Sequence, residues 1–543
     1  MPLPTSFSTA PPQAAFPRLC VSALSGGGGK PLLSLGLARA ASAAGVAVKP
    51  FKKGPDYIDA AWLALAAGRP ATNLDPYFLP PARLRALFIQ AMEALLRSDS
   101  VEAGTPNVLG LVEGNRGLFD GLDVEGSCST AELARALDCP ILLSLDCTKM
   151  TRTAAALVQG MLHFEKGLRF CGVVLNQVGS ARHESVLRRA LETYTDVPVL
   201  GALPRLAENP LPERHMGIAC CGDSLAGDAE RRLDDLAALV RAHLDLSAVL
   251  AAARDVSLLG GEDSTREKDA EDGVELLSAP SERGDVATSL FPRPRIGYVR
   301  DAALWFYYQE NLEALTRAGA ELVRLSLLDG GPESGSDPWE GLDGLYLGGG
   351  FPEDCAPELS RSPRLPLLAR LAREGLPIYA ECGGFMLLAR GIEREGRLWP
   401  MSNVFPVTAR FCAKPQGLGY VQGTVRAENP FFPPGLSLRG HEFHYSRCQW
   451  EGAAPSCALE LSRGKGMGHI GGMACDGLTR GRVWAAYTHI FAPAVPCWAD
   501  NFVAAARRFR LEVTQINQGA IRLYEKSGYQ YLRYDQMVLD KIK

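Results

Sequence analysis

Long apolar runs are missing from this sequence. No stretch reaches the roughly 18 uninterrupted apolar residues needed to cross a bilayer, which argues against a membrane-spanning helix. One-signed charge is scarce too: 57 Lys and Arg face 61 Asp and Glu, the net charge is −4, and no polybasic segment occurs. That balance argues against nucleic acid or another large polyanion as a partner. The 14 cysteines include no C-x-x-C pair, so zinc ribbons and dithiol redox motifs are not expected. They read instead as small core residues of a protein in a reducing cytoplasm. Residues 1–18 have neither the positive start nor the apolar core of a signal peptide and are expected to form a disordered leader. No internal repeat with a period of roughly 20 to 50 residues is present.

What is present is alternation. At 543 residues the chain exceeds a single core. From residue 19 to 255, short β-rich runs ("LCVSAL", "VAVKPFK", "NVLGLVEG", "PILLSLD", "FCGVVLNQV") alternate with helical patterns such as "STAELARAL". This order predicts a parallel sheet covered by helices. Residues 256–292 are rich in Gly, Ser, Asp and Glu and read as a solvated linker. From 293 to 510, "RIGYVR", "GLDGLYLGGG" and "LPIYAECGG" begin a second α/β domain.

The first chemical signal is "SGGGGKPLLSLGLARA". A strand, then Gly26, Gly27, Gly28 and Gly29, then a helix opened by Lys30 would turn several backbone N–H groups and a helix dipole toward an anion. Lys30 would reach the outer phosphates. Pro31 occupies the place where a phosphate loop usually carries Ser or Thr, which removes a magnesium-binding hydroxyl and one backbone donor. A proline is still tolerated in the first helical turn. Asp56 and Asp59 in "FKKGPDYID" and Glu113 in "VEGNRGLFDG" each follow a predicted strand, where ligands collect in open α/β sheets, and could hold the metal.

The second signal is "LPIYAECGGFMLLA", a strand, a sharp turn at Cys382 and a helix. The helix start is expected to lower the thiol pKa and make Cys382 a nucleophile, with Gly383 and Gly384 offering N–H groups to an oxyanion. His489, at the end of "VWAAYTHIF", is the candidate base.

The ordered set "GGGGK", "FKKGPDYID", "EGNRGLFDG", "GSCSTAELA", "VVLNQV" and "LPERHMG" resembles the cobyrinic acid a,c-diamide synthases, within the wider family that includes dethiobiotin synthetase. The later set "VRDAALWFYYQENLEAL", "LYLGGGFPE", "YAECGGFM", "GLGY", "GHEFHYS" and "AAYTHIF" resembles the glutamine amidotransferase domain of the same synthases. The resemblance implies a P-loop NTPase-like, dethiobiotin synthetase-like domain followed by a class I glutamine amidotransferase-like α/β domain. It implies that Lys30 handles phosphate, that Asp56 and Glu113 hold Mg²⁺, and that Asn176 lies near the base of ATP. It further implies that Cys382 attacks glutamine while His489 moves the proton, without an essential third acid.

The activity implied is amidation of the a and c acetates of cobyrinic acid by ATP and L-glutamine; hydrogenobyrinic acid, nickel sirohydrochlorin, or a non-catalytic role are the alternatives. Such an anionic corrinoid should meet basic groups, for which Lys49, Lys52, Lys53 and Arg116 are candidates, with Asp59 a further substrate contact. His441, Glu442, His444 and Ser446 of "GHEFHYS" mark the family without a derivable role. A homodimer is compatible with this reading.

Residues 511–543 differ in character: "LEVTQINQGAIRLYEKSGYQYL", with Asn517 and Tyr524, resembles the last motif of GNAT acetyltransferases. Without the rest of that fold the segment cannot form an acetyl-CoA site and is expected to be a remnant. One experiment follows from the loop. Pro31→Thr is expected to raise ATP-dependent turnover, and unchanged turnover would show that the loop has adapted to proline.

Overall fold

The structure, a computed structural model, describes residues 15–98, 107–207, 223–259, 292–329, 337–452, 457–470, 472–516, 529–533 and 536–539. The chain divides into two compact units, Met1–Pro280 and Ser281–Lys543. "LPERHMG" at 211–217, most of the expected linker, and Asn517 and Tyr524 lie outside the described residues.

In the first unit the elements run β1 (Arg18–Ala23), α1 (Lys30–Ala43), β2 (Ala47–Lys53), α2 (Ile58–Ala67), β3 (Thr72–Leu74), α3 (Pro81–Leu96), β4 (Val108–Glu113), α4 (Thr130–Ala136), β5 (Ile141–Asp146), α5 (Thr153–Phe164), β6 (Phe170–Val178), α6 (Ala181–Tyr194), β7 (Val199–Pro204), α7 (Asp223–His243) and α8 (Leu246–Arg254). The seven strands form one parallel sheet in the order β3-β2-β4-β1-β5-β6-β7. Strands β1 and β4 are buried at every position, which explains why they are mostly apolar, with Arg18, Ser22 and Glu113 as buried exceptions. Right-handed crossovers that travel toward the β3 edge of the sheet and those that travel toward the β7 edge must lie on opposite faces. Accordingly α1 packs with α2 and α7, while α3 packs with α4 and α5 with α6.

Gly36 sets the approach of α1 to α7. A Cβ there would lie 2.5 Å from Val240 Cγ2 and 2.9 Å from Leu236 O. Helix α4 starts at a cap in which Ser129 Oγ accepts from Glu132 N at 3.2 Å while Glu132 reaches back to Cys128 N. The fold begins before the expected end of the leader: Phe16 is buried, and the buried Arg18 guanidinium donates to Leu137 O at 2.7 Å.

In the second unit the strands Arg295–Val299, Glu321–Leu325, Gly344–Leu347, Ile378–Glu381 and Val483–Ala486 pair in parallel, and Leu478–Arg480 adds an antiparallel edge. An antiparallel sheet holds Gly417–Val425 and Ser437–His444 side by side and ends on the short strand His489–Ile490. The chain thus leaves the parallel sheet at Ala486 and joins the antiparallel one at His489, three residues later. The parallel sheet is buried on both sides, by Leu345, Ile378 and Ala380 in one cluster and by Tyr346, Tyr379, Trp484 and Trp498 in another.

Two expectations from composition change here. Cys20, Cys139 and Cys147 are core residues, but several other thiols are only half-buried. Cys457 and Cys475 form a disulfide, which their spacing did not suggest. The helix Cys497–Ile516 also runs through residue 510, where the second domain was expected to end, and Tyr529–Arg533 and Gln536–Leu539 form an antiparallel hairpin beyond it.

Candidate functional site

Strand order places the first site. The crossover from β1 runs toward β2, whereas those from its two neighbours β4 and β5 run the other way, toward β5 and β6, so a crevice opens at the carboxyl ends of these strands. A cleft of about 470 Å³ occupies it, lined by Gly26, Gly27, Gly29, Lys30 and Pro31 from the loop and by Lys52, Asp59, Glu113, Arg116 and Asn176 from neighbouring strand ends. Backbone geometry explains the glycines. Gly27 and Gly29 have φ of 77° and 83°, in the left-handed region. A Cβ on Gly29 would also lie 2.0 Å from Asn176 Nδ2, and one on Gly28 2.8 Å from Ala23 Cβ. Ser144 Oγ ties the loop down by donating to Gly28 O at 2.7 Å.

Lys30 is the first residue of α1 and is 5% exposed. Its ammonium folds back on its own loop, donating to Ser25 O at 3.2 Å and to Arg116 O. Burial, with Lys52 nearby, holds its pKa below the usual lysine value. Pro31 stands in the first turn, where a missing N–H breaks no helical hydrogen bond, and Leu33 N still bonds Gly29 O at 3.1 Å.

The acids divide their work differently from the sequence reading. Asp56 does not line the cleft. Its Oδ1 accepts from Asp59 N at 2.9 Å, at the start of α2, and burial followed by the neighbouring Asp59 pushes its pKa up to about 6. Asp59 and Glu113 are brought together through Lys52, which the sequence reading offered as a group for the anionic substrate. Lys52 Nζ, with only 2% of its side chain exposed, lies 2.7 Å from Asp59 Oδ2 and 2.6 Å from Glu113 Oε1. The parallel register makes this contact inevitable, because Lys52 and Glu113 are direct partners on β2 and β4.

One cation serves two carboxylates. Burial pushes Glu113 up to about 7 against the pull of Lys52. Burial opposes ionisation of Asp59 as well, but Lys52 outweighs it and leaves that pKa low. Lys52 itself is held charged: burial disfavours the ammonium, and Asp59 and Glu113 more than compensate. Glu113 Oε2 is buried, beside Ser34, without a hydrogen bond of normal geometry. Of the other predicted basic groups, Lys53 is buried away from the cleft, where burial lowers its pKa and Asp75 opposes the shift. Lys49 donates to Pro70 O at 2.7 Å, and only Arg116 is both exposed and on the cleft wall.

The second site is a turn under strain. Cys382 sits between the strand Ile378–Glu381 and the helix Gly383–Leu388 with φ 46° and ψ −100°, a conformation that costs about 1–3 kcal/mol for a residue with a Cβ. Three backbone bonds hold it: Cys382 N to Ala486 O at 2.7 Å, Met386 N to Cys382 O at 3.0 Å, and Gly384 N to Gly348 O at 2.9 Å. A Cβ on Gly384 would lie 2.3 Å from Leu347 O, so that position requires glycine, and one on Gly383 would be crowded at 3.0 Å from Gly350 N. The Gly384 N–H expected to face an oxyanion is therefore occupied by Gly348 O.

The expectation of a lowered thiol pKa is also reversed. Burial is the first cause and Glu353 nearby the second, and together they push Cys382 well above the ordinary thiol value despite the Gly383 N–H. Its Sγ lies 3.5 Å from Phe443 O.

His489 is fully buried and follows the strand that pairs with Ile378–Glu381, so it shares a sheet end with Cys382. Asp476 fixes the turn before it, accepting from Tyr487 N at 3.0 Å, Thr488 N at 2.8 Å and Thr488 Oγ1 at 2.7 Å. The ring of His441 stacks on His489 at 4.8 Å between centroids. Glu381 Oε2 lies 3.6 Å from His489 Nδ1.

The rest of "GHEFHYS" is a brace. Glu442 accepts from Lys465 N and Gly466 N at 2.7 and 2.8 Å, His444 stacks on Tyr487 at 3.7 Å, and Ser446 Oγ bonds Tyr487 Oη at 2.7 Å. Glu381 and Asp476 were missed from sequence, and Lys52 was named there only as a basic group for the substrate. Pairing Lys52 with Glu113 along β2 and β4 was the signal that could have found its role between the acids.

Two family models match the chain at these sites. Residues 19–218 match the CobQ/CobB/MinD/ParA nucleotide binding domain, and residues 295–495 match the CobB/CobQ-like glutamine amidotransferase domain. Together they define a glutamine-dependent, nucleotide-using ligase. The chain is 38% identical to the cobyrinate a,c-diamide synthase of Magnetococcus marinus over 92% of its own length and 99% of that protein. It is 37% identical to that of Syntrophotalea carbinolica over 90% and 99%, and 34% identical to that of Dehalococcoides mccartyi strain ATCC BAA-2266 over 91% and 99%. The chain belongs to the cobyrinate a,c-diamide synthase family.

Two measurements follow from the site geometry. Replacing the buried cation, Lys52→Met, is expected to destabilise the first unit by about 3–5 kcal/mol in a denaturant titration, with partial recovery on adding Glu113→Gln. Alkylation of Cys382, followed by peptide mass spectrometry, is expected to keep accelerating above about pH 10, where an ordinary thiol has levelled off. A plateau below pH 8 would contradict the raised thiol.

Proposed function

We propose that this protein converts the a and c acetate carboxylates of cobyrinic acid to primary amides, using ATP to activate each carboxylate and glutamine to supply ammonia. The observation that carries this reading is that both sites stand in one chain collinear with a cobyrinate a,c-diamide synthase over 92% of its length. Such a reaction, consuming ATP and glutamine, belongs in the cytoplasm. Among the described residues no helix is long and apolar enough to cross a membrane.

In the first unit, Gly26, Gly27, Gly29 and Lys30 receive the phosphates of ATP, and Asn176, packed on Gly29, borders the nucleotide. The residues present also fit a magnesium ion. Glu113 offers a buried oxygen without a hydrogen bond, and Asp59 opens on the same cleft. Among the described residues no three side chains form a protein-only metal cage, which agrees with an ion held mainly by phosphate oxygens and water. Bound there by Glu113 and Asp59 rather than Asp56, Mg²⁺ would neutralise charge on the phosphates. A substrate carboxylate oxygen attacks the γ-phosphorus and ADP leaves. Ammonia then attacks the acyl-phosphate carbon and inorganic phosphate departs. Arg116, exposed on the cleft wall, is the group placed to meet a carboxylate of the macrocycle.

In the second unit, Cys382 Sγ attacks the glutamine carboxamide carbon as its proton passes to His489, which returns it to the leaving ammonia. Water then hydrolyses the thioester to glutamate and restores the thiol. The Gly383 N–H is directed at the Cys382 thiol, beside which an oxyanion would form, whereas that of Gly384 is bonded to Gly348 O.

Mass spectrometry of cobyrinic acid incubated with ATP, Mg²⁺ and glutamine is expected to show two successive acid-to-amide exchanges. Cys382→Ser is expected to abolish the glutamine-driven exchanges and to leave those driven by ammonium salt. No exchange with either donor, in protein that still hydrolyses glutamine, would direct the search to another macrocycle.

A further inference from the structure

The reading of Cys382 and His489 as a glutamine-hydrolysing pair leaves the imidazole to be oriented, and the sequence motifs nominate nothing for that task. The structure supplies a carboxylate. Glu381, the residue before the nucleophile, is 1% exposed and has its side chain under the histidine, with Oε2 3.6 Å from His489 Nδ1. Its oxygens are fixed from three other directions. Tyr346 Oη donates to Oε2 at 3.0 Å, while Tyr379 Oη at 3.2 Å and Ile490 N at 3.0 Å donate to Oε1. Asn311 extends the network, donating to Tyr346 Oη at 3.2 Å and to Ile490 O at 3.0 Å.

One of these donors also restrains the backbone of the histidine. Ile490 follows His489 directly, so its bond to Glu381 fixes the backbone from which the ring projects. On its other contacts the ring meets His441 in a near-parallel stack of 17° and the glycine surface at Gly349, where a Cβ would lie 2.4 Å from His489 Cε1. Translation and tilt of the ring are thus restricted by packing, while the choice of which nitrogen carries the proton is set by the acceptor the ring faces. Among the groups described around the ring, Glu381 is the anionic one near Nδ1. Burial keeps the Tyr346 and Tyr379 phenols well above their ordinary pKa, so both remain neutral donors to that carboxylate.

We infer that Glu381 is the positioning residue for His489: held by Tyr346, Tyr379 and the Ile490 amide, it retains the proton on Nδ1 and leaves Nε2 to exchange protons with Cys382. Glu381 takes no proton itself. It stabilises the imidazolium that forms when the Cys382 proton is transferred, and the contact at 3.6 Å shortens to a hydrogen bond as that charge develops. Placing the acid one residue before the nucleophile puts both on a single strand end. Any movement of the turn therefore carries acid and thiol together.

The test separates charge from shape. Glu381→Gln keeps the size and the acceptor oxygen but loses the negative charge, whereas Glu381→Asp keeps the charge on a shorter arm. For glutamine hydrolysis, the Gln variant is expected to lose kcat by on the order of 100-fold or more with little change in KM, and the Asp variant to fall between it and wild type. Ammonia-driven amidation should be unchanged in both. A Gln variant as active as wild type, or more active than the Asp variant, would overturn the inference.

In the wild-type protein, nitrogen-15 histidine labelling should show neutral His489 with its proton on Nδ1, and a proton on Nε2 would also overturn it. This second measurement decides the matter even if Glu381→Gln does not fold. Glutamine hydrolysis persisting in Cys382→Ser or His489→Ala would instead refute the underlying assignment of the pair.

Discussion

A chain leaving a parallel strand must turn into its crossover helix within a few residues, against backbone that is already packed. Both sites of this protein are products of that constraint. At Gly28 and Gly29 the turn is made by residues with no side chain, because Ala23 and Asn176 stand where a Cβ would go. At Cys382 the turn is made by a residue that does have one, at φ 46°, and the strain is held by bonds to Ala486 and Gly348. The first solution exposes N–H groups and suits an anion. The second projects one side chain from the sheet end and suits a nucleophile.

Buried charge is handled in two ways in the two units. Around Lys52 one cation is shared by two acids, and burial pushes the pKa of Glu113 up to about 7, so that uptake of one proton there removes the surplus negative charge. Around Glu381 two phenols and an amide surround one acid, and the charge is met by oriented dipoles with the His489 ring alongside. The first arrangement can exchange its partner for an incoming metal or phosphate. The second has no such freedom and serves to hold geometry.

Much of this was legible in the sequence, and the boundary is physical. The parallel sheet followed from continuous apolar runs, and the glycine loop and Cys382 were found because each is a local motif whose meaning does not depend on distant residues. What escaped depended on register. Lys52 looked like one of two adjacent lysines until pairing with β4 set it opposite Glu113. Asp56 and Asp59 looked equivalent until the start of α2 committed Asp56 to a backbone amide. The thiol of Cys382 was expected to ionise easily because a helix begins there, but that helix is only six residues long and fully buried, and burial dominates. The Gly384 N–H was misassigned for a related reason, since Gly348 arrives from another strand.

Pro31 has a further consequence. A phosphate loop that is mobile when empty must lose conformational freedom when it closes on its ligand, and that loss weakens binding. Here a pyrrolidine ring fixes φ at the second residue of α1, and Lys30 is already folded onto Ser25 O. The first turn of α1 therefore has less conformational freedom to lose on binding an anion, and the entropy saved offsets part of what the absent hydroxyl and N–H would have contributed.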